Sequence, residues 1–187
     1  MAVEITLRPI TVREYTKMLQ VGILREDDHV ELIAGEIRQM SPIGPYHAAI
    51  VNRLAELLIT LLKQSFSIAI QSPIQLDDMS MPQPDLAVMI RRNDHYAGSA
   101  PTANDVLLVI EVSDTTADYD RKEKMPRYAS AGIPEMWLID LSTQTIEKYT
   151  HPRPSRYQDI QIRESGDTIS STSVNTIEMT VDRIFGL

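Results

Sequence analysis

The chain has 187 residues, 43% of them hydrophobic and 24% charged, a composition that excludes intrinsic disorder and suits one packed domain. It has no cysteine, which excludes disulfides, thiolate catalysis and cysteine-ligated zinc or iron–sulfur centres. With 18 basic and 26 acidic side chains the formal charge is −8, which argues against a broad basic surface for gripping nucleic acid but not against carboxylates gathered around a cation.

Thr11 and Glu14 stand at capping-box spacing, and Val12, Tyr15 and Leu19 follow at helical intervals, so a short helix is expected up to Gly22. Val30 to Met40 reads as a hairpin turning at Ala34-Gly35. After Ser41-Pro-Ile-Gly-Pro45, a helix is expected from about His47 to Lys63, with Ile50, Leu54, Leu57, Leu58, Leu61 and Leu62 on its core face. The run Leu54 to Leu62 carries Glu56 and stands beside Arg53, so no membrane span is expected. Ser67 to Leu76 alternates as a strand that ends at an Asp77-Asp78 turn. Pro84-Asp85 opens an apolar strand up to Ile90.

Asp105 to Val112 is almost continuously apolar, the pattern of a central strand buried on both faces. Asp118 to Ala131 has helical spacing, with Pro126 kinking or restarting it. Glu135 to Asp140 and Thr145 to Tyr149 form two further strands, and the tail after Pro152 reads as a closing hairpin or edge. This alternation defines an α/β (α+β) class, a mixed sheet flanked by helices in a single domain. Its core lies at about residues 30–149, with an N-terminal helix and a C-terminal β extension. The N-terminus lacks a basic region followed by an apolar core, so the expectation is a cytoplasmic protein without a secretory leader.

Two carboxylates stand where burial makes them costly. Asp85 opens one apolar strand and Glu111 closes another, so each needs a partner, a metal or an exposed strand end. If the strands are neighbours, the two carboxylates converge, and a pair of hard oxygen donors suits Mg²⁺, with water and a phosphate completing its shell. Lys122 or Lys124, on the helix that leaves the Glu111 strand, would bring positive charge over the strand ends. Residue by residue there are blander readings: Asp85 as a turn cap, Glu111 paired with an arginine, Asp120 and Lys124 as an exposed i,i+4 pair. Tyr128 and Trp137 read as core aromatics.

The order Val30-Glu31-Leu-Ile-Ala-Gly-Glu36, Ser41-Pro-Ile-Gly-Pro-Tyr-His47, Pro84-Asp85, Ile110-Glu111-Val-Ser113, Asp120 to Lys124, Tyr128 and Gly132 to Asp140 resembles the Uma2 family of endonucleases, within the PD-(D/E)xK superfamily. The resemblance implies a restriction endonuclease-like fold and Mg²⁺- or Mn²⁺-dependent hydrolysis of nucleic acid, with DNA the expected substrate. By the same resemblance Asp85 and Glu111 are metal-binding carboxylates, and Glu31 helps bind or position the metal. His47 is a phosphate contact or proton carrier, and Gln71 a weaker candidate at the edge of the site. One departure stands out: the superfamily's lysine, two residues after the acid, is Ser113 here, and Lys124 takes the matching place on the next helix, with Lys122 as its substitute.

The rival reading is a nuclease fold that has lost catalysis and serves as a nucleic-acid-binding or interaction module. An acid–base enzyme acting on a small acidic metabolite is a third reading, weakened by the absence of a phosphate-cradling glycine loop. Enzymes that cut both strands often act as dimers, which leaves a homodimer open.

Overall fold

The structure, a computed structural model, describes residues 7–187; the N-terminal stretch read above for a leader begins outside them. Helix α1 (Val12–Gln20) starts as the capping box requires: the Glu14 N–H donates to the Thr11 hydroxyl at 3.2 Å, and the Thr11 N–H donates to the Glu14 carboxylate at 3.0 Å. Val12 and Tyr15 pack on Leu32 of the hairpin β1 (Val30–Ile33) and β2 (Glu36–Gln39). Its two turn residues are both left-handed, Ala34 at φ 51° and Gly35 at φ 79°, as a two-residue turn matched to strand twist demands. A Cβ on Gly35 would stand 2.4 Å from Pro9 Cβ, so this turn admits only glycine without rebuilding.

Helix α2 (Pro45–Leu62) begins two residues before His47, because Pro45 brings a backbone angle already suited to a first helical turn. Strand β3 (Phe66–Ile70) is shorter than the alternation up to Leu76 suggests. Gln71 turns into left-handed backbone at φ 44°, and Pro73 has no N–H to extend a ladder. Residues 71–84 instead run as a loop along the hairpin and join it at the Leu32–Met81 bridge.

Strands β4 (Leu86–Ile90) and β5 (Val106–Ser113) follow, and a helical crossover leads to β6 (Glu135–Asp140), β7 (Thr145–Arg153) and β8 (Arg156–Arg163). These lie side by side in the order β3-β4-β5-β6-β7-β8, all antiparallel except for the parallel β5–β6 pair. The sheet is therefore mixed and flanked by helices, as expected.

The crossover is not the single kinked helix that the spacing suggests. It consists of α3 (Ala117–Tyr119), a π turn over Asp120–Lys124, and α4 (Met125–Ser130). The Met125 N–H reaches back five residues to the Asp120 carbonyl, and Pro126, next in the chain, has no N–H to restore the four-residue pattern.

One sheet face buries Leu86, Val88, Leu108, Ile110, Trp137 and Ile139 against α2 and the C-terminal extension of β9 (Thr168–Ser170), β10 (Glu178–Thr180) and α5 (Val181–Phe185). The other buries Ala87, Met89, Val109, Met136 and Leu138 against Tyr128 and Ala129 of α4. Glu135, fully buried, ties the extension down: its carboxylate accepts from the Trp137 indole at 2.7 Å, the Ser171 hydroxyl at 2.8 Å and the Thr172 N–H at 2.8 Å. Among the described residues no helix is long and apolar enough to cross a membrane.

Burial ranks the strands' sensitivity. Leu108→Ala, in the fully buried centre of β5, is expected to cost about 2–5 kcal/mol in urea denaturation, whereas Ile162→Ala, 62% exposed on edge strand β8, changes stability by about 0.5 kcal/mol or less.

Candidate active site

The β4–β5 register brings the two strand-end carboxylates together. Leu86 faces Ile110 across the ladder, so Asp85 and Glu111 are the next pair along it. Both belong to the sheet face shared with Ala87 and Val109, which lies under the crossover. Asp85 is held from three directions. Its Oδ2 accepts from the Val112 N–H at 2.9 Å and lies 3.2 Å from His47 Nε2, while its Oδ1 accepts from the Gln71 side-chain amide at 3.2 Å. Gln71 therefore sits at the site, just past β3 rather than on the strand.

Glu111, 3% exposed, accepts the Tyr128 hydroxyl on Oε1 at 2.6 Å, and the same oxygen lies 3.3 Å from Lys124 Nζ. Lys124 is itself buried, with Nζ 3.2 Å from Glu31 Oε2 and 3.9 Å from Asp120 Oδ1. The π turn aims it inward, so Asp120 and Lys124 are not the exposed i,i+4 pair that their spacing suggests; both are buried. Within the same turn Arg121 reaches the sheet end at Asp140 (2.7 Å) and Glu147 (2.6 Å). Lys122 is left exposed, beside Asp118 at 3.4 Å and away from the carboxylates.

Glu31 arrives from the hairpin, fixed by the Gln83 N–H at 3.1 Å. Ser113, two residues beyond Glu111 on the same strand face, donates its hydroxyl to Asp120, which also accepts from Thr116 at 3.2 Å. Asp120, Tyr128 and Gln83 thus support the site without having been singled out for it. The Tyr128 hydroxyl in an otherwise apolar helical pattern is a signal of this in the sequence, since a buried phenol needs a partner.

Three carboxylates, Glu31, Glu111 and Asp120, surround one ammonium group, and a fourth, Asp85, meets one imidazole. Burial pushes the Glu111 carboxyl up to about 8, and the fields of Asp120 and Asp85 add to the rise against the opposing pull of Lys124. Asp120 is also raised, chiefly by burial. Burial opposes the charge on Lys124, but Glu111, Glu31 and Asp120 outweigh it and hold the ammonium protonated beyond its ordinary range. His47 is raised by its hydrogen bond to Asp85.

This excess of negative charge suits a divalent cation. His47 Nδ1 and the Tyr119 hydroxyl, both buried, have no partner among the described residues, and such atoms are satisfied when a polar group binds beside them. Among the described residues no three histidine, aspartate or glutamate side chains converge closely enough to enclose an ion on their own. Mg²⁺ commonly takes only one or two carboxylates and completes its shell with water and phosphate oxygens, so the Asp85–Glu111 pair fits its needs.

The mixed sheet flanked by helices is that of the restriction endonuclease-like fold. A solved structure described as "a putative nuclease belonging to DUF820 from Anabaena variabilis ATCC 29413" shares the fold, with a TM-score of 0.72 and 19% identity over 95% of this chain and 98% of that one. The chain belongs to the Uma2 family, whose model, described as "Putative restriction endonuclease", matches residues 12–182. No curated protein matches the chain.

The raised carboxyl makes stability depend on pH. Between the ordinary glutamate range and about 8, the folded state keeps a proton on Glu111 that the unfolded chain releases, so this group's contribution to stability falls as pH rises through that window. Thermal melts of metal-free protein are expected to show Glu111→Gln gaining on the wild type progressively from about pH 5 to pH 8. A constant difference across that range would contradict the assignment.

Proposed function

We propose that the protein is a divalent-metal-dependent endonuclease that hydrolyses phosphodiester bonds of nucleic acid, with DNA as the expected substrate. The observation that carries this reading is the meeting of Asp85 and Glu111 across β4–β5 with Lys124 Nζ 3.3 Å from Glu111. Asp85 and Glu111 would hold Mg²⁺ or Mn²⁺. When bound, such an ion lowers the pKa of its water and neutralises charge on the phosphate.

The chain's own residues do the rest. Gln71 and the Val112 N–H orient Asp85, and Tyr128 engages Oε1 of Glu111, leaving Oε2 without a hydrogen bond among the described residues. Glu31 holds Lys124 against the site, and its carboxylate would add to the negative field that holds the cation. Lys124 places fixed positive charge where the attacking water and the phosphate oxygens would lie, and preformed charge of this kind contributes most as the transition state develops. His47, with Nε2 on Asp85 and Nδ1 unpartnered, stands ready to carry a proton or contact the phosphate. The crossover and hairpin enclose this machinery, so its charges act in a medium that screens them weakly.

Nicking of supercoiled plasmid in Mg²⁺ or Mn²⁺ tests the reading. The wild type is expected to convert plasmid to the open circle, with Asp85→Ala inactive and Lys124→Ala slowed by about 10²–10³-fold. Lys122→Ala, whose side chain points to solvent, should match the wild type. Cutting that survives unchanged in Asp85→Ala would overturn the assignment. A folded wild type that cuts no nucleic acid and gains no thermal stability from the metal would favour the inactive-fold reading.

A further inference from the structure

Edge strand β3 borders a groove of about 530 Å³ that the catalytic reading does not use. Lys63, Phe66, Ser67, Arg91, His95 and Tyr96 carry its chemistry, on a floor of alanine, isoleucine, proline and methionine side chains. In a chain of net charge −8, no carboxylate among the described residues lines it. Among the described residues neither Lys63 nor Arg91 has an acidic partner within ion-pair distance. The nearby Asp94 is taken by Arg92 at 2.7 Å, and the Arg92 guanidinium lies 4.6 Å from the centre of the Tyr96 ring.

A second observation is independent of charge. Ser67 is 8% exposed, lines the groove, and its hydroxyl has no hydrogen-bond partner among the described residues. A buried hydroxyl left unpaired is costly, and a polar ligand in the groove would satisfy it. The groove also adjoins the catalytic carboxylates: Ile70 and Ser72 line it, and Gln71 between them donates to Asp85. Lys63, His95 and Tyr96, all groove residues, are left-handed in backbone, as is Gln71.

We propose that this groove binds an unpaired stretch of nucleic acid next to the phosphodiester held at Asp85 and Glu111, a reading that rests on the function proposed above. Lys63 and Arg91 meet backbone phosphates, Phe66 and Tyr96 offer ring surface to a base, and the Ser67 hydroxyl takes a polar atom of the bound nucleotide. Cations beside aromatic rings in one groove are what single-strand binding requires, because every base has a face to stack and every linkage a charge. The preferred substrate is thereby nucleic acid unpaired on one side of the cut, as in the transiently melted stretches of a negatively supercoiled plasmid.

Fluorescence anisotropy with a labelled oligothymidylate of about 12 nucleotides, in EDTA so that nothing is cut, tests the groove. The wild type is expected to bind. The exposed double variant Lys63→Glu/Arg91→Glu should bind about tenfold or more weakly, with the slope of log affinity against log salt reduced by about 1.4, or about 0.7 for each phosphate that is no longer neutralised. A blunt hairpin duplex of the same length should bind more weakly than the single strand. Equal affinity of wild type and double variant, or no wild-type binding, overturns the proposal. The two readings fail separately: oligonucleotide binding that depends on Lys63 and Arg91 in a protein that nicks no plasmid removes catalysis and keeps the groove. Nicking by a protein whose oligonucleotide affinity ignores those residues removes the groove and keeps catalysis.

Discussion

The burial of the Lys124 ammonium group among Glu31, Glu111 and Asp120 is the contact on which the arrangement of the site depends. A buried charge is tolerated only when opposite charges and hydrogen bonds surround it, and here they come from three separate parts of the chain. The β1–β2 hairpin brings Glu31, the end of β5 brings Glu111, and the π turn brings both Asp120 and Lys124. Loss of the ammonium would leave three carboxylates crowded without their shared counter-charge. The hairpin and the crossover are thus held to the sheet by electrostatics as well as by packing.

Asp85 answers to a different constraint. It sits just before β4, where the ladder to β5 lets the Val112 N–H reach its carboxylate, and where Gln71 and His47 approach from the two elements beside it. The irregular backbone at Gln71 has a structural consequence: by ending β3 early, it turns an amide toward Asp85 and frees residues 71–84 to carry Gln83 to Glu31. Ser113 shows the same economy. It occupies the strand position where the superfamily pattern has its lysine, and its hydroxyl instead holds Asp120, the first residue of the turn that carries Lys124.

Much of this was legible from residue patterns alone. The apolar runs of β4 and β5, one opened and the other closed by a carboxylate, mark both the central strands and the place where charge is expensive, and the capping box and the Ala34-Gly35 turn mark their elements correctly. What could not be read was decided by contacts distant in sequence. Asp120 and Lys124 have the spacing of a solvent-exposed helical pair, and only the packing of the π turn against β5 buries them. Alternation carries the strand pattern past Ile70, but the left-handed backbone at Gln71 and the missing N–H of Pro73 end the ladder there. Tyr128 fits an apolar helical face, and its second role appears only once Glu111 is found beneath its hydroxyl. The groove beside β3 leaves no sequence signal, because Lys63 just past α2, Ser67 on β3 and Arg91 just past β4 are brought together only by the tertiary fold.

Everything proposed for the site requires that Asp85 and Glu111 together hold one divalent cation. Isothermal titration of Mn²⁺ into the wild type and into the near-isosteric variants Asp85→Asn and Glu111→Gln tests this without reference to any substrate. Saturable binding to the wild type is expected, lost in both variants while their far-UV circular dichroism stays native. Binding of Mn²⁺ by both variants with wild-type affinity, or none by the folded wild type, would contradict a shared cation site.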